Sequence, residues 1–281
     1  MARPEHRMTV ERTEQVSPHL VRVWFSGPGV AQIAENGDSD RYVKLIFAPE
    51  GVTWPESSSV AEIQESAQPE EQPILRTYTV RRLDADAQQV AIDFVVHGDE
   101  GVAGPWAAGA QPGESMRFFG PGSGYRPDPG ADWHLLVGDE SALPAVAAAL
   151  EAMPADAVAR VYLEVAGPDD EVALDAPAGA QVRWVHRGGA SHEVPEELTG
   201  AGSPLVAAVR EGEWLDGDVQ VFVHGEAEAV MKNIRPYVRK ERGVPAARAA
   251  SISGYWRRGR TEEGFRRWKA DLRAAEEGQP A

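Results

Sequence analysis

The sequence of 281 residues contains no cysteine. Disulfides, thiolate nucleophiles, cysteine-ligated zinc and protein-bound iron–sulfur clusters all require that missing sulfur, so each is excluded. Histidine does not offer an alternative metal site by pattern, because neither H-x-x-x-H nor H-E-x-x-H spacing occurs. The histidines considered are His6, His19, His134, His186, His192 and His224. We therefore expect no metal ion bound by the protein itself.

Basic residues and long apolar runs are also scarce. The chain has 28 Lys+Arg against 44 Asp+Glu, a formal charge of −16, which opposes binding to nucleic acid or to an anionic membrane surface. The best apolar run, from Ala142 to Leu150, carries Pro144 and falls well short of the roughly 18 residues of a membrane span. The charged N-terminus has no apolar block behind it, unlike a secretory signal. We expect a cytoplasmic protein with no nucleic-acid or membrane partner.

The first half of the chain is typical of short strands. β-branched and aromatic runs lie between clusters of Gly, Pro, Asp and Ser, a spacing that predicts an antiparallel barrel or sandwich. The runs are Leu20–Phe25, Tyr42–Phe47, Leu75–Val80, Val90–Val96 and Ser115–Phe119. The insert from Pro49 to Pro73 is rich in Glu, Ser, Gln and Pro and has neither a strand nor a helix period, which predicts a mobile loop.

After the Pro- and Gly-rich stretch that ends at Gly130, apolar strands alternate with helical segments. This alternation predicts a parallel α/β domain. The predicted strands are His134–Val137, Val161–Val165, Val182–His186 and Val219–His224, and the predicted helices are Ala142–Met153, Pro204–Glu211 and Ala227–Arg242. We expect Pro236 to kink or end the last helix, because proline lacks the amide donor and its ring collides with the preceding turn.

The C-terminal part of the chain is basic although the whole is acidic. From Met231 to Ala275 there are 13 Lys+Arg against 4 Asp+Glu, a net of +9 that leaves −25 for the rest. Two explanations stay open. The basic segment folds against the acidic body and offsets its charge, or it lines a site for an anion.

Three motifs have the chemistry of a dinucleotide site. Arg76-Thr77-Tyr78-Thr79 lies on a predicted strand, so Arg76 and Tyr78 share one face; a guanidinium suits a pyrophosphate and an aromatic ring suits a flat heterocycle. The second motif joins His97-Gly98 to Gly104-Pro105-Trp106-Ala107, where glycines permit close approach and Pro105 suits the first turn of a short helix. Each pattern also occurs in ordinary strands and loops.

The third motif is Gly138-Asp139-Glu140-Ser141-Ala142-Leu143-Pro144-Ala145, which follows a predicted strand. A strand that runs into a helix puts helix amides at the carboxyl edge of a parallel sheet, where nucleotides bind. The G-x-G-x-x-G pattern is absent, so a simple strand–helix joint is the alternative.

Taken in this order, and together with Gly225-Glu226 and the terminal Gly254-Tyr255-Trp256-Arg257-Arg258-Gly259, the motifs resemble the siderophore-interacting protein family. These are flavin-dependent ferric-siderophore reductases within the ferredoxin–NADP reductase-like superfamily. The resemblance implies an N-terminal antiparallel Greek-key β-barrel that binds FAD, a parallel α/β domain that binds NAD(P)H, and a basic C-terminal helical extension. We expect these parts at residues 1–128, 129–246 and 247–281, the last of them a strand and a basic helix that pack back toward the FAD site.

The resemblance also implies contacts for each ligand. FAD contacts are expected at Arg76, Thr77, Tyr78, Thr79, Asp93, Val95, His97, Ala103, Gly104, Trp106, Ala107, Tyr255 and Trp256. NAD(P)H contacts are expected at Gly138, Asp139, Glu140, Ser141, Ala142, Glu164, Arg187, Gly225 and Glu226. Tyr255 and Trp256 have core packing as their alternative, and Glu226 has capping of the last helix.

The electron donor stays open between NADH and NADPH. Glu164 near the end of the second parallel strand would bond a ribose hydroxyl and favour NADH, whereas Arg187 after the third would hold a 2′-phosphate. For an anionic ferric siderophore, the resemblance implies Lys44, with Arg126 and Arg257 as further choices.

The expected function is reduction of a ferric siderophore by NAD(P)H through bound FAD, which releases Fe(II) without a catalytic side chain. A flavin lies between donor and acceptor because the nicotinamide gives two electrons and Fe(III) takes one. Two alternatives stay open: a non-catalytic siderophore-binding or iron-handoff protein, and a flavin reductase that passes electrons to a protein acceptor such as a ferredoxin.

Overall fold

The first half of the chain forms a closed antiparallel barrel of six strands in the computed structural model, which describes residues 4–33, 37–98, 101–260 and 262–277. The strands are β1 (Glu5–Ser17), β2 (Leu20–Ser26), β3 (Tyr42–Phe47), β4 (Ile74–Asp84), β5 (Gln89–Val95) and β6 (Ser115–Gly122). Strands β3, β4 and β5 pair in succession and β6 returns beside β3, which makes a Greek key; β6 also pairs with β1 and closes the barrel. The predicted barrel is confirmed over the sandwich.

Strand β1 was not among the predicted runs. Its residues from Glu11 to Gln15 are all exposed, and only Met8, Val10 and Ser17 are buried along its length. Polar side chains therefore occupy both faces of its middle, and the alternation that marks a half-buried strand is lost.

The insert from Pro49 to Pro73 lies between β3 and β4, as predicted, but it contains helix α1 (Val60–Ser66), which the sequence analysis did not predict. Ser59 starts the helix with a capping box: its Oγ accepts from the Glu62 amide at 3.2 Å, and the Glu62 carboxylate accepts from the Ser59 amide at 2.7 Å. Val60 and Ile63 are buried on one side. The Ser-x-x-Glu spacing was the available signal, and the polar composition of the insert obscured it.

The second half contains a five-stranded parallel sheet. Its strands are β7 (Trp133–Gly138), β8 (Val158–Val165), β9 (Gly179–His186), β10 (Val219–Glu226) and β11 (Ser251–Trp256), in the order β11-β10-β7-β8-β9. The four predicted strands and the parallel arrangement are confirmed. The C-terminal strand β11 pairs in parallel with β10, so it forms the edge of this same sheet.

Three short helices position the sites: α2 (Ala103–Gly109), α3 (Leu143–Glu151) and α4 (Pro204–Glu211). Helix α3 buries seven of its nine residues, since it lies between the sheet and the barrel. Its apolar cluster includes Leu136 and Phe222 of the sheet together with Leu20 and Tyr125 from the barrel half. Helix α4 packs on the opposite face of the sheet, against Leu135 and Val137 among others.

The predicted helix from Ala227 to Arg242 is present, but Pro236 does not end it. The chain is helical over Glu228–Ile234 and Tyr237–Glu241, and Pro236 itself has helical angles, φ −60° and ψ −41°. The hydrogen bonds here join residues that are five positions apart; the Arg242 amide, for example, donates to the Tyr237 carbonyl at 2.9 Å. This wider spacing accommodates a residue without an amide donor.

The last described element is α5 (Glu262–Glu277), the basic helix. Its Lys269 ammonium donates to Ser253 Oγ at 3.0 Å and to the Gly254 carbonyl at 3.3 Å, so the helix packs back on β11. Within the described residues, no helix combines the length and apolar character that crossing a membrane requires.

Two polar ties join the barrel to the second half. Asp170, buried after β8, accepts from Ser17 Oγ at 2.9 Å, from the His19 amide at 3.0 Å and from His19 Nδ1 at 2.9 Å. Arg81 of β4 donates two hydrogen bonds to Glu151 at the end of α3, at 2.6 and 2.9 Å. These ties fix the turn between β1 and β2, and the strand β4, against the parallel sheet and its helix.

Replacing Asp170 with alanine is expected to lower the free energy of unfolding by about 3 kcal/mol, because three donors in a buried contact lose a charged acceptor. Chemical denaturation of the purified protein measures the change. Asp169→Ala, which removes the same group from an exposed neighbouring position, is the control and should change stability little. Equal effects of the two variants would contradict a tie at Asp170.

Candidate nucleotide and flavin sites

The order of the parallel sheet reverses between β7 and β10. The chain proceeds from β7 to β8 and β9 on one side, then crosses to β10 on the other side of β7. Ligands of open α/β sheets bind outside the carboxyl ends of the strands at such a switch point. The residues at this point are Gly138 and Asp139 after β7, Gly225 and Glu226 at the end of β10, and Trp256 at the end of β11.

Asp139 is the centre of this arrangement. Its buried carboxylate accepts from the Ser141 amide at 3.0 Å and Ser141 Oγ at 2.5 Å, and from the Glu226 amide at 2.8 Å and Trp256 Nε1 at 2.7 Å. One side chain thus holds together the ends of β7, β10 and β11. This is a different role from the direct nucleotide contact that the sequence analysis predicted.

Two predicted glycines permit this close approach. A Cβ at Gly225, whose φ is +141°, would lie 2.8 Å from the Asp139 carboxylate. A Cβ at Gly138 would lie 2.8 Å from that of Ala142, the residue just before α3. Close packing at the switch point therefore explains both glycines, whether or not they also contact a ligand.

Glu140 and Arg187 form a buried ion pair. Arg187 Nη1 donates to Glu140 Oε2 at 2.7 Å and Nη2 donates to Oε1, while Nε donates to the Gly189 carbonyl at 3.0 Å. Burial raises the pKa of Glu140, although Arg187 opposes the shift. The guanidinium predicted to hold a 2′-phosphate is thus already bound to a carboxylate.

Glu164 lies at the same edge, near the end of β8. Its Oε2 accepts from Ser203 Oγ and from the Leu205 amide, each at 3.1 Å, and its Oε1 lies 3.7 Å from Arg187 Nη1. Burial raises the pKa of Glu164 to about 7, with Arg187 acting in the opposite direction. This carboxylate is therefore a hydrogen-bond acceptor or a proton carrier near neutral pH.

Glu226 caps the helix that follows β10, which was one of its two predicted roles. Its Oε2 accepts from the amides of Glu228 at 2.8 Å and Ala229 at 3.0 Å. Its Oε1 accepts from Arg257 Nη1 at 2.9 Å, and Arg257 Nη2 donates to Glu228 at 2.6 Å. Arg257, predicted to meet a siderophore, is thus engaged by two carboxylates.

A small pocket, partly open to solvent, lies at the switch point. Its polar lining residues are Asp139, Glu164, Arg187, Ser191, Thr199, Ser203, Glu226, Trp256 and Arg258. The loop that follows β9 and the start of α4 form one wall. Sequence reasoning missed Ser191, Ser203 and Arg258; Ser203 was recognisable as the helix cap before Pro204, and it accepts from the Leu205 amide at 3.2 Å.

On the barrel, Arg76 and Tyr78 share one face of β4, as predicted, because they pair with Leu45 and Val43 of β3. The Tyr78 ring lies 4.4 Å from that of Phe94, and Arg76 Nη1 donates to the Leu75 carbonyl at 2.9 Å. Both side chains are partly buried.

The opposite face of β4 carries Thr77 and Thr79, which pair with Lys44 and Tyr42. Lys44 Nζ donates to Thr77 Oγ1 at 3.4 Å, and Thr77 is exposed while Thr79 is buried. Arg126, the other predicted siderophore contact, lies away from this strand and donates to Asp38 at 3.3 Å.

The residues predicted to close the FAD site at α2 face the barrel interior. The Trp106 ring lies 5.6 Å from Phe47 and from Phe94 and stacks on Phe25 at 6.2 Å. Ala103 and Ala107 are buried in the same core, and a Cβ at Gly104 would lie 2.9 Å from the Val95 carbonyl. Gly104 is thus explained by the approach of α2 to β5.

The partner of Asp93 is a residue of the neighbouring strand of the barrel. Arg22 of β2, directly opposite on the neighbouring strand, donates to its carboxylate from Nε at 2.7 Å and from Nη2 at 2.9 Å. Asp93 thus forms a cross-strand ion pair, and its expected contact with FAD stays a prediction. Val95 at the end of β5 packs toward the cluster around α3.

Tyr255 brings the end of β11 to the junction with the barrel. The register of β10 and β11 shifts at this residue, and its ring lies 4.4 Å from that of His224. Burial, with the nearby carboxylates of Asp40 and Asp139, raises the pKa of Tyr255. Burial also lowers the pKa of His224 to about 3, so this histidine is neutral and serves packing and hydrogen bonding.

A second contact across the junction joins His97, after β5, to His192, in the loop after β9. Their rings lie 5.3 Å apart. Among the described residues, no group of three or more His, Cys, Asp or Glu is arranged to hold a metal ion.

The donor set on β4 has the chemistry that FAD requires. A guanidinium at Arg76 suits a pyrophosphate, the ring of Tyr78 suits a flat heterocycle, and the hydroxyls of Thr77 and Thr79 can bond its polar edge. Arg76 and Tyr78 on one face of this strand therefore fit FAD, and the FAD contacts expected at Asp93, Trp106 and Ala107 stay predictions.

Comparisons with known proteins find one family model for the barrel half of the chain and another for the half with the parallel sheet. A model for the siderophore-interacting FAD-binding domain matches residues 9–125, and one for siderophore-interacting protein matches residues 131–259. Ferric vibriobactin reductase ViuB of Vibrio cholerae is 33% identical over 90% of both chains. An uncharacterized protein of Mycobacterium tuberculosis is 52% identical over 98% of both. The crystal structure of a siderophore utilization protein from T. fusca matches with a TM-score of 0.76 at 36% identity, over 92% of this chain and 94% of that one.

Gly225→Ala is expected to lower the free energy of unfolding by about 2–4 kcal/mol, because alanine is strained at this φ and its Cβ would displace Asp139. Gly243→Ala is the matched control: Gly243 also has a positive φ, +70°, but nothing lies within 4 Å of its Cβ position. The control should cost about 1 kcal/mol. Thermal or chemical denaturation measures both, and equal losses would show that Asp139 does not depend on Gly225.

Proposed function

Because the chain belongs to the siderophore-interacting protein family, we propose that it is an FAD-dependent oxidoreductase that takes electrons from NAD(P)H and reduces a ferric siderophore. The observation that carries this proposal is one juxtaposition. A pocket lies at the switch point of a parallel sheet, and the barrel that packs against this half of the chain through α3 has a strand β4 with a guanidinium, an aromatic ring and hydroxyls. That pairing suits a nucleotide donor beside a flavin.

Within this proposal, Arg76 and Tyr78, which share one face of β4, hold FAD on the barrel. FAD supplies the exchange between a two-electron donor and a one-electron acceptor. The Arg76 guanidinium binds the pyrophosphate as a charge-assisted fork. Tyr255 closes the junction from the sheet side, where His224 supports its ring at 4.4 Å.

The nucleotide donor binds in the cavity at the carboxyl ends of the strands. Glu164 accepts a hydrogen bond from a ribose hydroxyl, because its carboxylate lines the cavity and its existing donors, Ser203 and Leu205, fix it there. The pairing of Arg187 with Glu140 favours Glu164 over Arg187 as the ribose contact. That preference points to NADH.

The ferric siderophore approaches the outer face of β3 and β4. Lys44, beside exposed Thr77, supplies positive charge to an anionic chelate. Once reduced, iron leaves because Fe(II) is a poorer match for hard oxygen donors.

Anaerobic titration of the purified protein tests the proposed function. We expect a yellow preparation, bleached by NADH or NADPH and re-oxidised by a ferric siderophore with formation of Fe(II), which a ferrous chelator detects. A colourless preparation that binds siderophore and cannot be reconstituted with FAD would instead indicate a non-catalytic binding protein. Slow re-oxidation by siderophore with fast transfer to a ferredoxin would indicate a flavin reductase.

Arg76→Ala is expected to weaken FAD binding by roughly 10- to 100-fold, since a charge-assisted contact is worth about 1.5–3 kcal/mol. Flavin content after gel filtration and the Kd of reconstitution measure the loss. Arg82→Ala is the control on the same strand: its side chain is 49% exposed and lies 3.7 Å from Glu151. Flavin retention equal to that of the control would remove Arg76 from the site.

A further inference from the structure

The insert between β3 and β4, residues 49–73, is fixed to the outer surface of the barrel by one arginine of β6. Arg117 Nη1 donates to the Ser58 carbonyl at 2.6 Å. Its Nη2 donates to the carbonyls of Pro55 at 3.3 Å and Glu56 at 3.2 Å. The side chain is only 12% exposed. A single guanidinium thus holds the turn that precedes α1.

Two neighbours on β1 complete this clamp. Arg7, which pairs with Arg117 across the strands, donates from Nη2 to the same Glu56 carbonyl at 2.5 Å. Glu5 lies 3.3 Å from Arg117, and its Oε2 accepts from the Val60 amide, the first of α1, at 2.7 Å. The charges of Arg7, Glu5 and Glu56 all act on Arg117. With two guanidiniums facing two carboxylates, the clamp is close to neutral overall.

The clamped insert lies beside the face of β3 to which Lys44 belongs. Arg117 pairs with Ile46 of β3, and Lys44 shares the face of Ile46 two residues away, roughly 7 Å along the strand. Ile46 points outward, because its neighbours Leu45 and Phe47 belong to the core of the barrel. It is nonetheless 5% exposed. The insert that Arg117 holds on the adjacent strand is the segment placed to cover it.

We propose that the insert is a wall of the siderophore site and that Arg117, by holding it there, determines how bulky a chelate reaches Lys44. This inference rests on the proposed function, since it concerns access to the same outer face of β3 and β4. Because the clamp is close to neutral, the wall selects by the size of the ligand around the iron and not by its charge. Steric exclusion gives specificity without an attractive contact to the chelate. Arg117 is thus a positioning residue that acts through the insert.

Steady-state formation of Fe(II) by the full-length, FAD-loaded protein tests this proposal, with saturating NADH or NADPH. Two ferric hydroxamates serve as probes: a hexadentate trihydroxamate siderophore, and ferric acetohydroxamate, which offers the same oxygen donors without the connecting backbone. Arg117→Gln is expected to lower the KM of the siderophore about 5- to 10-fold and to change the KM of ferric acetohydroxamate less than about 2-fold. The same variant should be cleaved faster at Glu56 by a glutamate-specific protease, because the insert is released.

Arg7→Gln removes the second guanidinium of the clamp and should give a smaller shift in the same direction, so the proposal can be tested even if Arg117→Gln does not fold. The control is Arg12→Gln, which changes an exposed arginine of β1 that donates to Gln89 and does not contact the insert. It should reduce both chelates like the wild type.

An equal change in the KM of both chelates would overturn the proposal, because a general loosening of the barrel does not distinguish ligand size. A higher KM for the siderophore would overturn it as well, since the insert would then be a binding surface and not a barrier. Unchanged KM values in both arginine variants would have the same meaning. Failure of the proposed function looks different, because the wild-type protein would then reduce neither chelate.

Discussion

The arrangement of both sites depends on the buried carboxylate of Asp139. Backbone ends of three parallel strands would diverge at the edge of the sheet, but this side chain accepts from the Glu226 amide of β10 and from Trp256 Nε1 of β11 while it lies at the end of β7. The absence of a Cβ at Gly225 makes the approach possible. This one carboxylate therefore sets the position of the cap at Glu226 and of Trp256 at the end of β11.

The sequence analysis succeeded with the positions of elements to a different degree than with the roles of individual residues. Strand β3 and helix α4 followed from periodicity and turn signals, because those patterns report burial directly. Glu226 and Trp256 of the switch point were expected only from the resemblance to the family. The partner of a charged residue does not appear in such patterns. Arg22 opposite Asp93, and Arg187 beside Glu140, come from distant parts of the chain and are defined only by the tertiary register.

Trp106 shows a further limit of sequence reasoning. The Gly-Pro-Trp-Ala motif resembles the family pattern, yet the indole packs on Phe47 and Phe94 in the core of the barrel. A residue can recur beside a ligand site because it shapes the barrel wall that bears the site. The same holds for Gly104, whose closest constraint is the Val95 carbonyl. Motif membership locates the site within the chain, and packing decides which members reach the ligand.

The basic C-terminal segment pairs with acidic groups at the edge of the sheet. Of the two explanations of that segment, its folding against the acidic body is what the contacts support, and a role in an anion site stays a prediction. Arg257 compensates Glu226 and Glu228, whereas Arg258, one residue later, meets a carbonyl and the face of Trp256. Adjacent residues after a strand project differently, and this alternation gives Arg257 two carboxylate partners and Arg258 a carbonyl and an aromatic face.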